Sequence, residues 1–254
     1  MQIEVVSNSD KMTMEIAKKY AMSIKSPTVV SLVGDLGAGK TTFVKLLMKL
    51  YEPTNGRILL NGVDIKNYNT KSYYELFAPV FQDMECYAFS LAENVSMKSA
   101  DMTDKELVNQ CVRKAGLGNK LDEWTNGVDT NILKILHNDG VILSGGEMQK
   151  LALARALYKD APIVVLDEPT AALDAIAESK MYEDFDKLVS GKMAIYISHR
   201  LASTRFCDVI AMFNDGEIVE YGSHNELMSN DSGYAKMFEM QANYYREGQS
   251  NEAV

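Results

Sequence analysis

The sequence predicts an α/β protein with three layers, in which helices cover both faces of a mainly parallel central sheet. Three short apolar runs, at residues 29–33, 163–168 and 193–198, are typical of strands that are buried on both faces. Residues 41–50 and 145–158 instead carry apolar side chains at helical spacing. Because buried strands alternate with helices, we expect a parallel sheet between two helical layers.

Two further segments complete the expected organisation. Residues 56–65 are typical of a strand pair that turns at Asn61 and Gly62, and residues 101–124 have a mainly helical pattern. We therefore expect a helical insertion between the first sheet strand and the later ones. The predicted organisation is a single domain over residues 1–254, with core segments 45–84 and 156–243, a helical subdomain 85–155 and a disordered tail 244–254.

Composition limits the classes of function. The chain has 254 residues, of which 46% are hydrophobic and 24% are charged, as in ordinary globular proteins. A net charge of −9 gives no electrostatic reason to expect general nucleic-acid binding. No apolar run approaches the length of a membrane span and the first residues lack the order of a secretory signal, so we expect a soluble, cytoplasmic protein. The three cysteines are too widely spaced to indicate a disulfide framework or a metal knuckle.

Residues 34–41, with the sequence GDLGAGKT, fit the pattern G-x-x-x-x-G-K-[ST] between a predicted strand and a predicted helix. The glycines let backbone N–H groups wrap phosphates, and the helix start adds the positive end of its dipole. Lys40 would reach the β- and γ-phosphates, and Thr41 would supply a hydroxyl to Mg²⁺. The alternative is a glycine-rich turn with a solvated lysine. The pattern predicts a P-loop NTPase fold with these nucleotide contacts: Gly34, Gly37, Ala38, Gly39, Lys40, Thr41 and Thr42.

Two adjacent carboxylates end a later apolar strand. Asp167 and Glu168 follow the run IVVL, and in a nucleotide site of this type the aspartate orients the Mg²⁺ shell. The glutamate can polarise the attacking water and is the predicted catalytic residue. Without the phosphate loop upstream, the same pair would indicate only a solvated acidic turn.

The segment LSGGEMQKLALARAL, residues 143–157, resembles the signature motif of ATP-binding cassette (ABC) transporter nucleotide-binding domains, with Glu147 where glutamine is usual. The resemblance covers about residues 43–243 and includes VFQD, VVLDEPTAALD and ISHR in the family's order. The stretches SLAENV and DGEIVEYGSHNEL are similar to exporters of peptides and lipids. The resemblance implies a domain that binds ATP and Mg²⁺ and works with a transmembrane transporter domain.

The resemblance also implies roles for three residues in those motifs. Gln82 would contact Mg²⁺ and couple it to the membrane domain, and Asp174 would contact a partner subunit. His199 would hold the γ-phosphate and the attacking water, as a second catalytic residue beside Glu168.

The signature opens a predicted helix with Ser144, Gly145 and Gly146. A helix start of this kind binds anions, but these three residues offer too few groups to complete a site alone. The resemblance implies that they close over a nucleotide of a second copy, in a head-to-tail homodimer with two ATP molecules in its interface. Taken alone, Ser-Gly-Gly is more often an ordinary helix cap.

The N-terminal segment departs from the family pattern. ABC domains usually begin with antiparallel strands that carry an aromatic residue for adenine, whereas residues 1–44 predict a strand, a cap at Ser9 or Asp10 and a helix. This segment resembles TsaE, an ATPase of tRNA threonylcarbamoyladenosine synthesis. We interpret the chain as a hybrid joined inside or just after the phosphate loop. Tyr20 is either a replacement stacking residue or a core residue of the predicted helix.

Three functions follow from these patterns. The first is an ATP-binding and potentially ATP-hydrolysing module of ABC type without its membrane domain. The second is a tRNA-modification ATPase, indicated by residues 1–44 but opposed by the signature and by His199. The third is a hybrid that binds nucleotide weakly or not at all and has no enzymatic activity.

Overall fold

The computed structural model describes residues 3–6, 27–81, 84–168, 189, 191–198 and 201–251. Within these ranges the strands are β1 (Ile3–Val6), β2 (Val29–Val33), β3 (Arg57–Leu60), β4 (Val63–Asp64), β5 (Phe77–Val80), β6 (Ile163–Asp167), β7 (Met193–Ile197), β8 (Val209–Asn214) and β9 (Glu217–Gly222). The helices are α1 (Lys40–Leu47), α2 (Thr70–Tyr74), α3 (Leu91–Ser96), α4 (Lys105–Val112), α5 (Gly118–Glu123), α6 (Gly145–Lys159), α7 (His224–Ser229) and α8 (Gly233–Asn251).

Two compact units make up the chain. The first consists of Met1–Phe77 with Gly191–Val254, and the second is Ala78–Ser190. We call the first the phosphate-loop unit and the second the signature unit. The signature unit contains the segment 85–155 that the sequence predicts as a helical subdomain, but it also includes β6, which the sequence assigns to the core.

The phosphate-loop unit is built on four neighbouring strands in the order β7-β2-β8-β9. Strand β2 pairs in parallel with both β7 and β8, and β9 returns antiparallel to β8. Val30, Leu32 and Val33 are fully buried, which explains why β2 is continuously apolar rather than alternating. The carboxyl end of this central strand leads directly into the phosphate loop, the usual ligand position in an open α/β sheet.

A separate antiparallel sheet corrects the prediction for the N-terminus. Strand β1 pairs antiparallel with β3, which pairs antiparallel with β4, so the N-terminal strand belongs to an antiparallel sheet, which was not predicted from the sequence. Ile3, Ile58 and Leu60 are buried in this sheet, and that burial favours the pairing. The turn at Asn61 and Gly62 lies where the sequence predicts it, with φ of 51° and 79°. Ser9, Asp10 and Tyr20 lie outside the described residues.

The C-terminal helices pack on the phosphate-loop unit through a buried cluster: Val33, Leu201, Ile210, Met212, Leu227, Tyr234 and Phe238. The sequence predicts a disordered tail over 244–254, whereas helix α8 continues to Asn251. Its first half is held by Tyr234 and Phe238 in the core, and the helix extends from that anchored part. No helix in the described ranges has the length and hydrophobicity needed to cross a membrane.

The signature unit is helical around strand β6. All five residues of β6 are buried, and β5 lies beside this strand. Helix α6 packs against α3, α4 and the π-turn Arg113–Leu117. Its buried side chains are Leu151, Ala152, Leu153, Ala154 and Ala156, a face of small and medium residues that allows close helix packing.

Candidate functional site

The phosphate loop joins the end of β2 to the start of α1. Gly34 and Gly39 stand at its two ends with φ of 137° and 99°, conformations that residues with a side chain rarely adopt. A turn inside the loop is closed by the Ala38 N–H, which donates to the Asp35 carbonyl at 3.1 Å. The loop therefore has the compact, left-handed geometry that presents backbone N–H groups to an anion.

Lys40 is the first residue of α1 and bends back into the loop. Its Nζ donates to the carbonyl oxygens of Gly34 and Asp35, each at 2.8 Å, and the residue is only 4% exposed. A buried ammonium needs compensation, and these two carbonyl dipoles supply part of it. The ammonium therefore lies beside the N-terminal end of α1, where an anion is favoured by the helix dipole.

Thr41 and Thr42 follow in the first turn of α1, the first half-buried and the second exposed. In the signature unit, Asp167 ends β6 with 6% exposure and Glu168 follows with φ of 49°. A positive φ is uncommon for glutamate and is frequent at functional sites. Mg²⁺ prefers oxygen ligands, a class to which the Thr41 hydroxyl in the phosphate-loop unit and the Asp167 carboxylate in the signature unit each belong.

Ser144 begins helix α6 as its N-cap. The Ser144 N–H donates to Glu147 Oε2 at 2.8 Å, and the Glu147 N–H donates to the Ser144 hydroxyl at 3.4 Å. A Cβ added at Gly145 or Gly146 would meet no atom within 4 Å. The signature glycines thus leave an open surface over a helix N-terminus.

The capping role of Glu147 was readable from the sequence and was missed, since S-x-x-E before a helix is the pattern of a capping box. The backbone hydrogen bond from Ser144 is the main cause that lowers the pKa of Glu147. Lys120 lies 3.9 Å from the same carboxylate and lowers the pKa further. The side chain is therefore an anion at neutral pH, at a position where glutamine is usual.

A groove of about 440 Å³ in the signature unit was not predicted from the sequence. Tyr87 and Phe89 form part of its wall with exposures of 42% and 54%, and Asn94 organises it. The Asn94 amide donates to the carbonyls of Tyr87, Phe89 and Ser90 and accepts from the Tyr87 N–H. No spacing rule would have found this groove, because it depends on loop residues held by a single side chain.

The predicted site residues fall into three groups. Gly34, Gly37, Ala38, Gly39, Lys40, Thr41 and Thr42 lie together in the phosphate-loop unit. Ser144, Gly145, Gly146, Asp167 and Glu168 belong to the signature unit. Gln82, Asp174 and His199 lie outside the described residues.

The sequence of the chain matches the family model described as ABC transporter over residues 17–171. It is 35% identical over 227 residues to an ATP-dependent lipid A-core flippase of Chromohalobacter salexigens, covering 89% of this chain and 38% of the relative. A flippase of the same name from Ralstonia nicotianae is 38% identical over 222 residues, covering 87% and 37%.

The structure resembles a bacterial Atm1-family ABC exporter solved with ATP bound. The TM-score is 0.76 at 32% sequence identity, covering 85% of this chain and 37% of the exporter. The chain thus spans well under half the length of these relatives. This likeness agrees with the predicted fold of a mainly parallel sheet with helices.

These comparisons give no support to a TsaE-like N-terminus or to a hybrid. The family match begins at residue 17 and includes the phosphate loop, so most of the segment 1–44 is accounted for without a second parent. The matched segment is also more than half of the 254 residues. The chain therefore belongs to the ABC transporter family, as a nucleotide-binding domain of the exporter type.

Proposed function

We propose that this chain binds ATP with Mg²⁺ and hydrolyses it in a head-to-tail homodimer that works with a transmembrane transporter domain. The observation that carries the proposal is the buried Lys40 ammonium, held at the N-terminal end of α1 by two carbonyls of the phosphate loop. A lysine placed in this way brings a positive charge to the end of the phosphate loop, where it suits an incoming polyphosphate.

Binding would begin at the phosphates. The loop N–H groups and the start of α1 offer donors to the β-phosphate, and Lys40 adds a full charge between the β- and γ-phosphates. When ATP enters, charged phosphate oxygens would replace part of the carbonyl contacts of Lys40, and hydrogen bonds to charged oxygens are stronger than those to carbonyls.

Mg²⁺, when bound, would neutralise charge on the β- and γ-phosphates. Thr41 would hold it through the hydroxyl, Asp167 through the carboxylate, and Gln82 through the side-chain oxygen. Asp167 suits this role because a nearly buried carboxylate is stabilised by a cation.

Glu168 would act on the attacking water. It follows Asp167 directly at the end of β6, and its backbone is left-handed with φ of 49°. We propose that Glu168 accepts a proton from, or orients, the water that attacks the γ-phosphate, and that His199 holds the γ-phosphate.

The signature residues would act on a second copy. Ser144, Gly145 and Gly146 present a hydroxyl and an uncovered helix start, and the open surface over both glycines leaves room for a phosphate. Asp174 would contribute to the same dimer interface. ATP would thus join two chains, each supplying a phosphate loop to one nucleotide and a signature to the other.

The remaining length of the relatives supports a transmembrane partner. The chain covers 38% of one flippase and 37% of another, and the matched exporter is likewise longer. We propose that the chain acts at the cytoplasmic face of a membrane beside such a domain. The transported substrate would then be selected by the membrane domain and not by residues of this chain.

Two substitutions test the division of roles. Lys40→Ala is expected to abolish measurable ATP binding, whereas Glu168→Gln is expected to retain binding and to lower the hydrolysis rate by about 10²–10⁴-fold, the usual contribution of a general base. Calorimetry with Mg²⁺-ATP and a steady-state phosphate-release assay measure the two effects.

Matched controls are Lys45→Ala, later in α1, and Glu52→Gln on an exposed loop. Neither control should change binding or turnover by more than about twofold. Equal loss of binding in Lys40→Ala and Glu168→Gln would contradict the proposed roles. Binding without any hydrolysis in the unsubstituted chain would instead favour a non-enzymatic protein.

A further inference from the structure

The hairpin between β8 and β9 lies against the phosphate loop within the phosphate-loop unit. The Gly216 N–H donates to the Ala38 carbonyl at 3.1 Å. A Cβ built on Gly39 would lie 3.2 Å from the Gly216 Cα, and one built on Gly34 would lie 2.2 Å from the Phe213 carbonyl oxygen. The hairpin backbone therefore touches both ends of the loop.

A side-chain contact also joins the hairpin to α1. The rings of Phe213 and Phe43 meet edge to face with centroids 5.3 Å apart. Phe213 is buried, so the pair adds packing energy to the backbone contacts. The hairpin thus fixes both the loop and the first turn of the helix that follows it.

The hydrogen bond to Ala38 has a consequence for the next N–H group. The carbonyl of Ala38 and the N–H of Gly39 belong to one planar trans peptide, in which they point in opposite directions. When Gly216 holds the carbonyl on the hairpin side, the Gly39 N–H must face away from the hairpin. Rotating that peptide would turn a carbonyl oxygen, rather than an N–H, toward an anion in the loop.

We propose that the turn formed by Asp215 and Gly216 is a positioning element of the phosphate site, which orients the Gly39 N–H toward the bound phosphate. The inference rests on the proposed ATP binding and extends it to residues beyond the matched range 17–171. Gly216 acts through Gly39 and does not itself contact the nucleotide.

A second hairpin in the same unit offers a matched control. The β3–β4 turn has Asn61 and Gly62 with φ of 51° and 79°, and the β8–β9 turn has Asp215 and Gly216 with φ of 48° and 83°. A Cβ at Gly62 or at Gly216 would meet no atom within 4 Å. The Cβ of a valine is accommodated at both positions, and the shared effect of valine is backbone strain, since β-branched residues strongly disfavour positive φ.

The experiment compares Gly216→Val with Gly62→Val in the full chain. Calorimetry measures the affinity for Mg²⁺-ATP and for tripolyphosphate, and thermal unfolding without ligand measures stability. We expect similar losses of Tm, but a loss of at least about tenfold in affinity for both ligands only in Gly216→Val, equivalent to about 1.4 kcal/mol. The affinities of Gly62→Val should stay within about twofold of the unsubstituted chain.

A milder pair keeps the test decisive if valine prevents folding. Phe213→Leu removes the ring contact with Phe43, and Phe77→Leu removes a buried pair with Tyr73 at a similar centroid distance of 5.2 Å. Only Phe213→Leu should lower the affinity for both ligands. The inference would be wrong if the two variants of either pair had equal affinities, or if the affinity for ATP fell while that for tripolyphosphate did not. Either result would leave the proposed ATP binding intact. No ATP binding by the unsubstituted chain would contradict the proposed function as well.

Discussion

The backbone N–H of Ser144 and the carboxylate of Glu147 are 2.8 Å apart, and the reciprocal bond closes a capping box at the start of α6. This arrangement stabilises the helix that carries the signature, because it satisfies two N-terminal donors. It also fixes an anion beside the surface on which we propose that a partner's ATP rests. The usual glutamine would supply the same acceptor without the charge.

We predict that Glu147→Gln strengthens the proposed ATP-dependent dimer. The amide oxygen can still accept from the Ser144 N–H, while repulsion between the carboxylate and the γ-phosphate is removed. Sedimentation with saturating Mg²⁺-ATP, in a Glu168→Gln background, should show a dissociation constant about threefold to tenfold lower, or roughly 0.6–1.4 kcal/mol.

Glu123→Gln is the matched control, since Glu123 also pairs with Lys120, at 3.2 Å. It should leave the dimer constant unchanged. A weaker dimer in Glu147→Gln would mean that the charge itself supports the interface. A monomer in every variant would count against the proposed trans action of the signature.

A second prediction concerns acid stability and His224. The ring Nδ1 lies 2.7 Å from the Tyr234 hydroxyl, and the ring packs on Phe238 with centroids 5.0 Å apart. Burial, and then the nearby Arg205, lower the pKa of His224. Below its usual value of about 6.5 the unfolded chain therefore binds more protons than the folded chain at this position.

The stability contributed by the neutral ring is thus fully present above pH 6.5 or so and is lost as the pH falls below that value. We expect urea unfolding to show a smaller loss of stability between pH 7.5 and pH 5 in His224→Gln than in the unsubstituted chain. His137→Gln, on an exposed loop, controls for loss of a histidine. An identical pH dependence in the two variants would contradict this expectation.

The elements that could be predicted from the sequence are those that a short stretch of residues specifies by itself. Continuous burial explains why β2, β6 and β7 were visible as apolar runs, and the phosphate loop was visible because its spacing reflects one conformation. The pairing of β1 with β3 was not visible, because a short strand does not indicate its distant partner. The contact of Gly216 with Ala38 is equally non-local, and it became apparent only from the path of the hairpin.

A third prediction concerns Arg155, a half-buried guanidinium in α6. It donates to the Asn94 carbonyl at 2.7 Å, to the Glu85 carbonyl at 3.0 Å and to Asn94 Oδ1 at 3.2 Å. Lysine cannot reproduce this planar set of donors, so Arg155→Lys should lower the free energy of unfolding by about 2 kcal/mol through two lost hydrogen bonds.

Arg113→Lys is the comparison, because Arg113 makes a two-point contact with Asp122 on the exposed surface. Solvent screens that pair, so its replacement should have a much smaller effect on denaturant unfolding. Comparable losses in both variants would show that Arg155 gains nothing from its half-buried network.

The last prediction concerns the base of the nucleotide. Strand β1 has the sequence IEVV, so the described part of the N-terminal sheet offers no aromatic ring from that strand, while the phosphate loop is complete. Affinity should come mainly from the phosphates, with GTP binding less than about tenfold weaker than ATP. Stacking of a base on an aromatic side chain is worth about 1–3 kcal/mol in nucleic-acid complexes. Its absence lowers the affinity for both ATP and GTP. Competition against a fluorescent ATP analogue measures the ratio, with Lys40→Ala as the baseline for lost phosphate binding.

Submicromolar ATP affinity with GTP more than about a hundredfold weaker, a gap near 2.7 kcal/mol, would require a base pocket in the segment before the loop. Tyr20→Leu would then be the first variant to test, and a loss of both affinity and selectivity would identify the stacking residue.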